Sequence, residues 1–181
     1  MNEALSAHFL EDALAVFRKY KQLGEDAIAQ LGDEEFFALI DAEANSVALL
    51  VKHLSGNMHS RWSNFLTADG EKPDRDRDRE FVIEPETTRE EVMHWWNDGW
   101  DYVFAAIEPL KPEDLKRTVL IRNEPHSVVK AINRQLTHYA YHVGQIVLLA
   151  KHFKSETWKS LSIARGQSEI FNRALHQRET S

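Results

Sequence analysis

The chain contains no cysteine. That excludes disulfides, iron–sulfur ligation and a thiol nucleophile of its own, and leaves histidine, aspartate and glutamate as the available metal ligands. It also lacks any lysine- and arginine-rich cluster with interleaved aromatics, and its formal net charge is −7. Without a positive field to gather phosphates, neither a nucleic acid nor an anionic membrane surface is an expected partner. No apolar stretch approaches the length of a membrane span, and the opening "MNEALSAHFLEDAL" has acids where a signal peptide carries positive charge. A cytoplasmic location is the expectation. Internal repeats, low-complexity tracts and strongly alternating strand patterns are missing too. What is present is 181 residues, 43% of them hydrophobic, enough for a single domain (1–181) with a real core.

The apolar spacing is helical. Leu5, Phe9, Ala13, Val16, Tyr20, Leu23 and Ala27 recur every three or four residues and predict one stripe along a first helix, about 3–31. Asp33 is placed to cap a short turn through Leu39. Val47, Leu50, Val51, Leu54 and Met58 mark a second long helix, about 42–67. Thr88 with Glu91 makes a capping box for a third, about 88–108, whose apolar face is Val92, Trp96, Trp100, Val103 and Ile107. Ser127 caps a fourth, about 127–153, which is apolar nearly all round and so expected to be central. Four such helices predict an all-α protein, an antiparallel four-helix bundle.

Three segments fall outside that frame. The connection between the second and third helices, about 69–86, alternates Asp with Arg and reads as a solvated loop, its Arg75, Arg77 and Arg79 neutralised by neighbours rather than closing on a substrate. The stretch "TVLIRN" is a candidate short strand or hairpin arm. The tail 154–181 carries Trp158, Leu161, Ile163, Ile170, Phe171 and Leu175, apolar surface expected to pack on the bundle or on a second subunit. Trp96 and Trp100 belong to the core stripe, so the tryptophans of the third helix read as packing rather than as a substrate wall.

Histidine is an awkward resident of an apolar run, and "THYAYHVGQ" holds two, His138 and His142. Four residues on a helix turn 400°, leaving the rings about 40° apart and about 6 Å along the axis, within reach of one ion. Spacing alone is weak, because nine histidines in 181 residues make about 0.4 such pairs by chance. A third ligand must come from another helix. His59 and His94 fall on charged faces and His152 near a helix end, where a positive charge suits the dipole. His53, flanked by Leu50 and Leu54 midway along the second helix, sits where a ligand facing a bundle core would. His53, His138 and His142 are thus either the ligands of one divalent ion, zinc or nickel first and iron or manganese after them, or three histidines satisfied by hydrogen bonds alone. Asn57 and Gln145 share those faces as candidate donors to an imidazole or a bound water; each is equally an ordinary packing amide, and Gln145 reads rather as the latter. Glu43 lies three turns from His53, too far for a general base.

The segments "LLVKHLSGN", "GNMHSRWSNFLTADGEKPDRDRD", "INRQLTHYAYHVGQIVLLAKH" and "SLSIARGQSEIFN" resemble the DinB/YfiT-like metalloenzyme superfamily, and within it a bacterial subfamily of unknown function. The resemblance spans most of the chain. It implies a four-helix bundle holding a divalent ion on three histidines, which map onto His53, His138 and His142, and a tendency to form homodimers. Some relatives join low-molecular-weight thiols to electrophiles, so it also implies S-transferase or detoxification chemistry on a small molecule. With no cysteine here, the thiol would be a cosubstrate. A metal-dependent hydrolase and a non-catalytic, stress-related metal-binding bundle are the alternatives.

Overall fold

The computed structural model describes residues 3–179, with side chains through residue 174. It is mostly helical with one two-stranded sheet: α1 (Glu3–Ile28), α2 (Asp33–Phe37), α3 (Val47–Trp62), α4 (Arg89–Ile107), β1 (Thr118–Ile121), β2 (Glu124–Ser127), α5 (Val128–Lys154) and α6 (Ser168–Glu179). The four long helices α1, α3, α4 and α5 share one apolar core, with α3 packed on α4, α1 on α5, and α3 meeting α5. At its centre Phe17, Trp100 and Tyr139 stack edge to face or tilted, with centroids 5.7–6.3 Å apart. Such rings dominate core energetics; a buried tryptophan is worth about 3–5 kcal/mol against alanine. Trp96 and Trp100 are both fully buried, as the third stripe predicts. Gly99 permits the close approach of α4 to α3, since a Cβ there would stand 3.1 Å from Ser55 Cα.

Local signals explain the boundaries. Thr88 and Glu91 form the expected capping box, and Ser127 Oγ accepts from Lys130 N at 3.2 Å. α3 is shorter at both ends than the apolar spacing suggests, because Ser46 caps it by accepting from Leu49 N and the chain beyond Trp62 leaves helical geometry, reaching positive φ at Asn64. Asp33 is not a cap but the first residue of α2, whose N-cap Gly32 donates its N–H to Glu35. In α1 the buried line is Ser6, Leu10, Ala13, Phe17, Gly24, Ala27 and Ile28; it keeps Ala13 and Ala27 of the expected stripe and shifts one residue round at Leu10, Phe17 and Gly24, with Phe9, Tyr20 and Leu23 partly buried against the core and Leu5 exposed. Phe17, the largest side chain on that helix face, wins the core position. α5 is amphipathic rather than central, for Tyr141 and Leu148 are exposed.

"TVLIRN" does become a hairpin. Arg122 and Asn123 both take positive φ, 56° and 59°, as a tight two-residue turn requires. Asparagine tolerates this and arginine does so poorly; the turn is held by Asp69, whose carboxylate accepts from the N–H of Arg122 at 2.8 Å and of Asn123 at 2.7 Å. In the tail, Trp158 and Leu161 pack against the core while Ile163, Ile170 and Phe171 are exposed. Docking back onto the helices therefore stops near residue 161, and the side chain of Leu175 lies outside the described residues. No helix among the described residues is long and apolar enough to cross a membrane.

Candidate metal centre

α3 and α5 bring His53, His138 and His142 together. Each offers one ring nitrogen, and those nitrogens all lie within 4.8 Å of one another. Around one tetrahedral zinc such nitrogens stand about 3.4 Å apart, so the most distant pair would draw in by up to about 1.4 Å to share an ion. His53 and His142 are buried and His138 is half-buried. His59, His94 and His152 are exposed, as their faces predict.

The partners of each ring decide which nitrogen is left over. His53 Nδ1 lies 2.8 Å from Glu80 Oε2. An ionised carboxylate can only accept, so Nδ1 carries a proton and Nε2 is the nitrogen left to face an ion. His142 Nδ1 likewise donates to Gln145 Oε1 at 2.9 Å, and its Nε2 is buried with no partner. His138 Nδ1 is buried without a partner as well. Gln145, which reads from sequence as packing, thus orients a histidine. Among the described residues Asn57 makes no hydrogen bond to a histidine: its Oδ1 accepts from Tyr139 Oη at 3.3 Å, and Tyr139 Oη accepts from Trp62 Nε1 at 2.8 Å.

The solvated-loop expectation for 69–86 holds at Asp74 and over 76–79, which are exposed, and fails at Arg75 and Glu80. A 3-10 turn, Asp78–Phe81, sets Glu80 against His53 and stacks the Phe81 ring on the same imidazole, with centroids 4.7 Å apart. Arg75, its side chain 5% exposed, grips Glu80 with two hydrogen bonds of 2.7 and 2.9 Å. Glu71 accepts from Arg61 at 2.9 Å and from Arg122 at 3.1 Å. Arg77, exposed, lies over Phe81, and Arg79, also exposed, pairs with Glu84, so of the three loop arginines only Arg75 leaves solvent. Alternation of charge suggests solvent because each charge has a local neighbour; here Glu80 and Glu71 also take partners from α3 and from the β1–β2 turn, which alternation cannot report. The available signal was the break in that pattern at "EFVI", where apolar residues end the charged run.

Electrostatics favour neutral rings. Burial, followed by the neighbouring histidines, pushes His138 down to about 3, and burial outweighs the Gln145 hydrogen bond to push His142 down to about 4. Burial alone would raise Glu80, but hydrogen bonds from His53 and Arg75 outweigh it and hold the carboxyl below its ordinary range. Unfolded, both histidines take up protons near 6.5, whereas the folded rings resist down to about 3–4. The unfolded state therefore binds more protons across that window, and stability falls as pH drops from 6.5 toward 4. Thermal melts of metal-free protein are expected to show this steady decline, and a His142→Gln variant a shallower one.

The histidines open into a cavity of about 460 Å³, bordered also by Asn57, Phe81, Tyr141 and several arginines. Three imidazoles, two of them with orphaned buried nitrogens, fit a divalent cation, and three protein ligands leave positions open on the cavity side. A comparison with curated proteins finds no match. Residues 4–167 match the family described as Protein of unknown function (DUF1572), which includes every residue of the site just described. The chain therefore belongs to the DUF1572 family.

Proposed function

We propose that the protein is a divalent-metal-dependent enzyme of the DinB/YfiT type, a single-domain four-helix bundle, that joins a low-molecular-weight thiol to a small electrophile. The observation that carries this reading is the meeting of three histidines from two helices, with ring nitrogens unpartnered, at the floor of an open cavity. His53, His138 and His142 would hold the ion, zinc or nickel by the softness of imidazole, with iron or manganese next. Once bound, such an ion supplies Lewis acidity and lowers the pKa of a thiol or water beside it. The chain's own residues do the rest. Glu80 and Arg75 fix the His53 ring, Gln145 fixes His142, and Phe81 and Tyr141 lie against the His53 and His142 rings. In the transfer the thiol gives its proton to solvent in the open cavity, the thiolate sulfur forms a bond to the electrophilic carbon, and the bond from that carbon to its leaving group breaks, the leaving group taking the electron pair.

Hydrolysis is the weaker reading because it needs a general base. Among the described residues no carboxylate lines the cavity, and both oxygens of Glu80 are taken by His53 and Arg75. Homodimerisation belongs to the same proposal, supported by the exposed Ile163, Ile170 and Phe171 of the tail. The test is an assay of zinc- or nickel-loaded protein for thiol conjugation and for ester or amide hydrolysis. Conjugation that falls at least a hundredfold in His138→Ala is expected, the loss that goes with removing a group that stabilises the transition state. Absence of turnover at full metal occupancy, with a large drop in melting temperature on chelation, would instead assign the ion a structural role.

A further inference from the structure

Five arginines line the cavity over the histidines: Arg61, Arg75, Arg77, Arg122 and Arg134. Behind them, Glu71 and Glu80 pair with Arg61, Arg75 and Arg122. Five guanidiniums against two carboxylates leave three positive charges on a concave surface of a chain whose overall charge is −7. This local reversal of sign is not a by-product of composition. A cleft lined by one sign of charge with low-dielectric walls focuses the field and concentrates the opposite ion.

Two of these arginines are uncommitted. Among the described residues neither Arg77 nor Arg134 has a carboxylate within ion-pair distance; Arg77 rests on the face of Phe81, 5.3 Å from its centroid. Arg134 precedes His138 by four residues on α5, so it stands one turn along the face that carries the histidines. A planar guanidinium held at a cavity rim, with its donors unspent, matches a carboxylate or phosphate in geometry as well as charge.

We propose that this site selects a small substrate bearing a carboxylate or phosphate, whose anionic group seats on Arg77 and Arg134 while its reactive end reaches the histidines. This names the substrate class of the site proposed above and rests on that reading for the reactive end; the anion's seat depends on the arginines alone. A cavity of about 460 Å³ takes a molecule of metabolite size.

The test separates the two readings by leaving the metal out. Full-length protein stripped over a chelating resin is titrated calorimetrically with succinate, with inorganic phosphate and with uncharged succinamide. Binding of succinate or phosphate at least about tenfold tighter than succinamide is expected, weakened about tenfold in Arg134→Gln and again in Arg77→Gln, the scale of a hydrogen bond to a charged group. Both residues are exposed, so the variants are expected to melt with wild type. Comparison of succinate with phosphate decides which anion the site prefers. Equal affinity for succinate, phosphate and succinamide, or a doubly substituted protein that binds the anions as wild type does, would overturn the proposal. His138→Ala is expected to keep the anion binding, so failure of the metal reading would leave this result legible.

Discussion

Replacing Glu80 with alanine is expected to lower the melting temperature by on the order of 10 °C and to weaken metal binding about 10–100-fold. Arg75 lies with its side chain 5% exposed and uses Glu80 as its principal partner. Removing one member of a buried pair costs about 3–5 kcal/mol because the other charge is left without compensation. Arg75 keeps a looser contact with Glu71 at 3.4 Å, which puts the expected cost at the lower end of that range. In a chain of this size each kcal/mol moves the midpoint by about 2–4 °C. The effect on metal comes by a separate route, since His53 loses the acceptor that fixes its tautomer. Glu80→Gln keeps an acceptor for His53 but cannot neutralise Arg75, and falls between. Gly56→Ala is the indirect version of the same lesion: the added Cβ would stand 2.7 Å from Glu80 Cδ, and Gly56 lies on the α3 face that receives the loop. Alanine favours a helix over glycine by about 1 kcal/mol, yet this substitution is expected to destabilise. Melts and zinc titrations of the three variants read all of this. A Glu80→Ala protein that melts within about 2 °C of wild type would return the loop to the solvated role that its charge alternation suggests.

What could be read from sequence was whatever repeats with the period of a helix. The third stripe, with Trp96 and Trp100, and the placement of His53, His138 and His142 on inward faces follow from a 3.6-residue period that side-chain packing obeys. The first stripe came out one residue round at Leu10, Phe17 and Gly24 because small and large apolar side chains alternate along α1, and the choice of Phe17 over Val16 depends on Trp62, Trp100 and Tyr139, residues far along the chain. The same limit hid Glu80 and Arg75. Glu80 is buried by pairing across 27 residues with His53, and Arg75 follows by gripping Glu80, whereas local composition favours the opposite conclusion. Gln145 was visible as a neighbour of His142, three residues on, but its hydrogen bond depends on a rotamer that spacing does not fix. The site's floor was therefore legible, while the loop that orients it was not.

Zinc is expected to raise the melting temperature of the wild type, and that gain is expected to vanish in His53→Ala, His138→Ala and His142→Ala. A ligand that binds only the folded state adds about 2.7 kcal/mol when its free concentration is 100 times its dissociation constant, or roughly 5–10 °C here. The neutral rings suit this, because no proton has to be displaced from His138 or His142 near neutrality. The three variants should not behave alike without zinc. His53→Ala also strips Glu80 of one of its buried hydrogen-bond donors and so destabilises the bare protein, whereas His142→Ala releases only Gln145. His94→Ala supplies the control: that ring is exposed and paired with Asp98 at 3.2 Å, so both zinc binding and stability should be unchanged. Calorimetry is expected to count one ion per chain in the wild type and none in the three core variants. Zinc stabilisation that persists in His53→Ala and His138→Ala would mean that the ion sits elsewhere, and the chemistry proposed for the cavity would lose its reactive centre even if the arginines still held an anion.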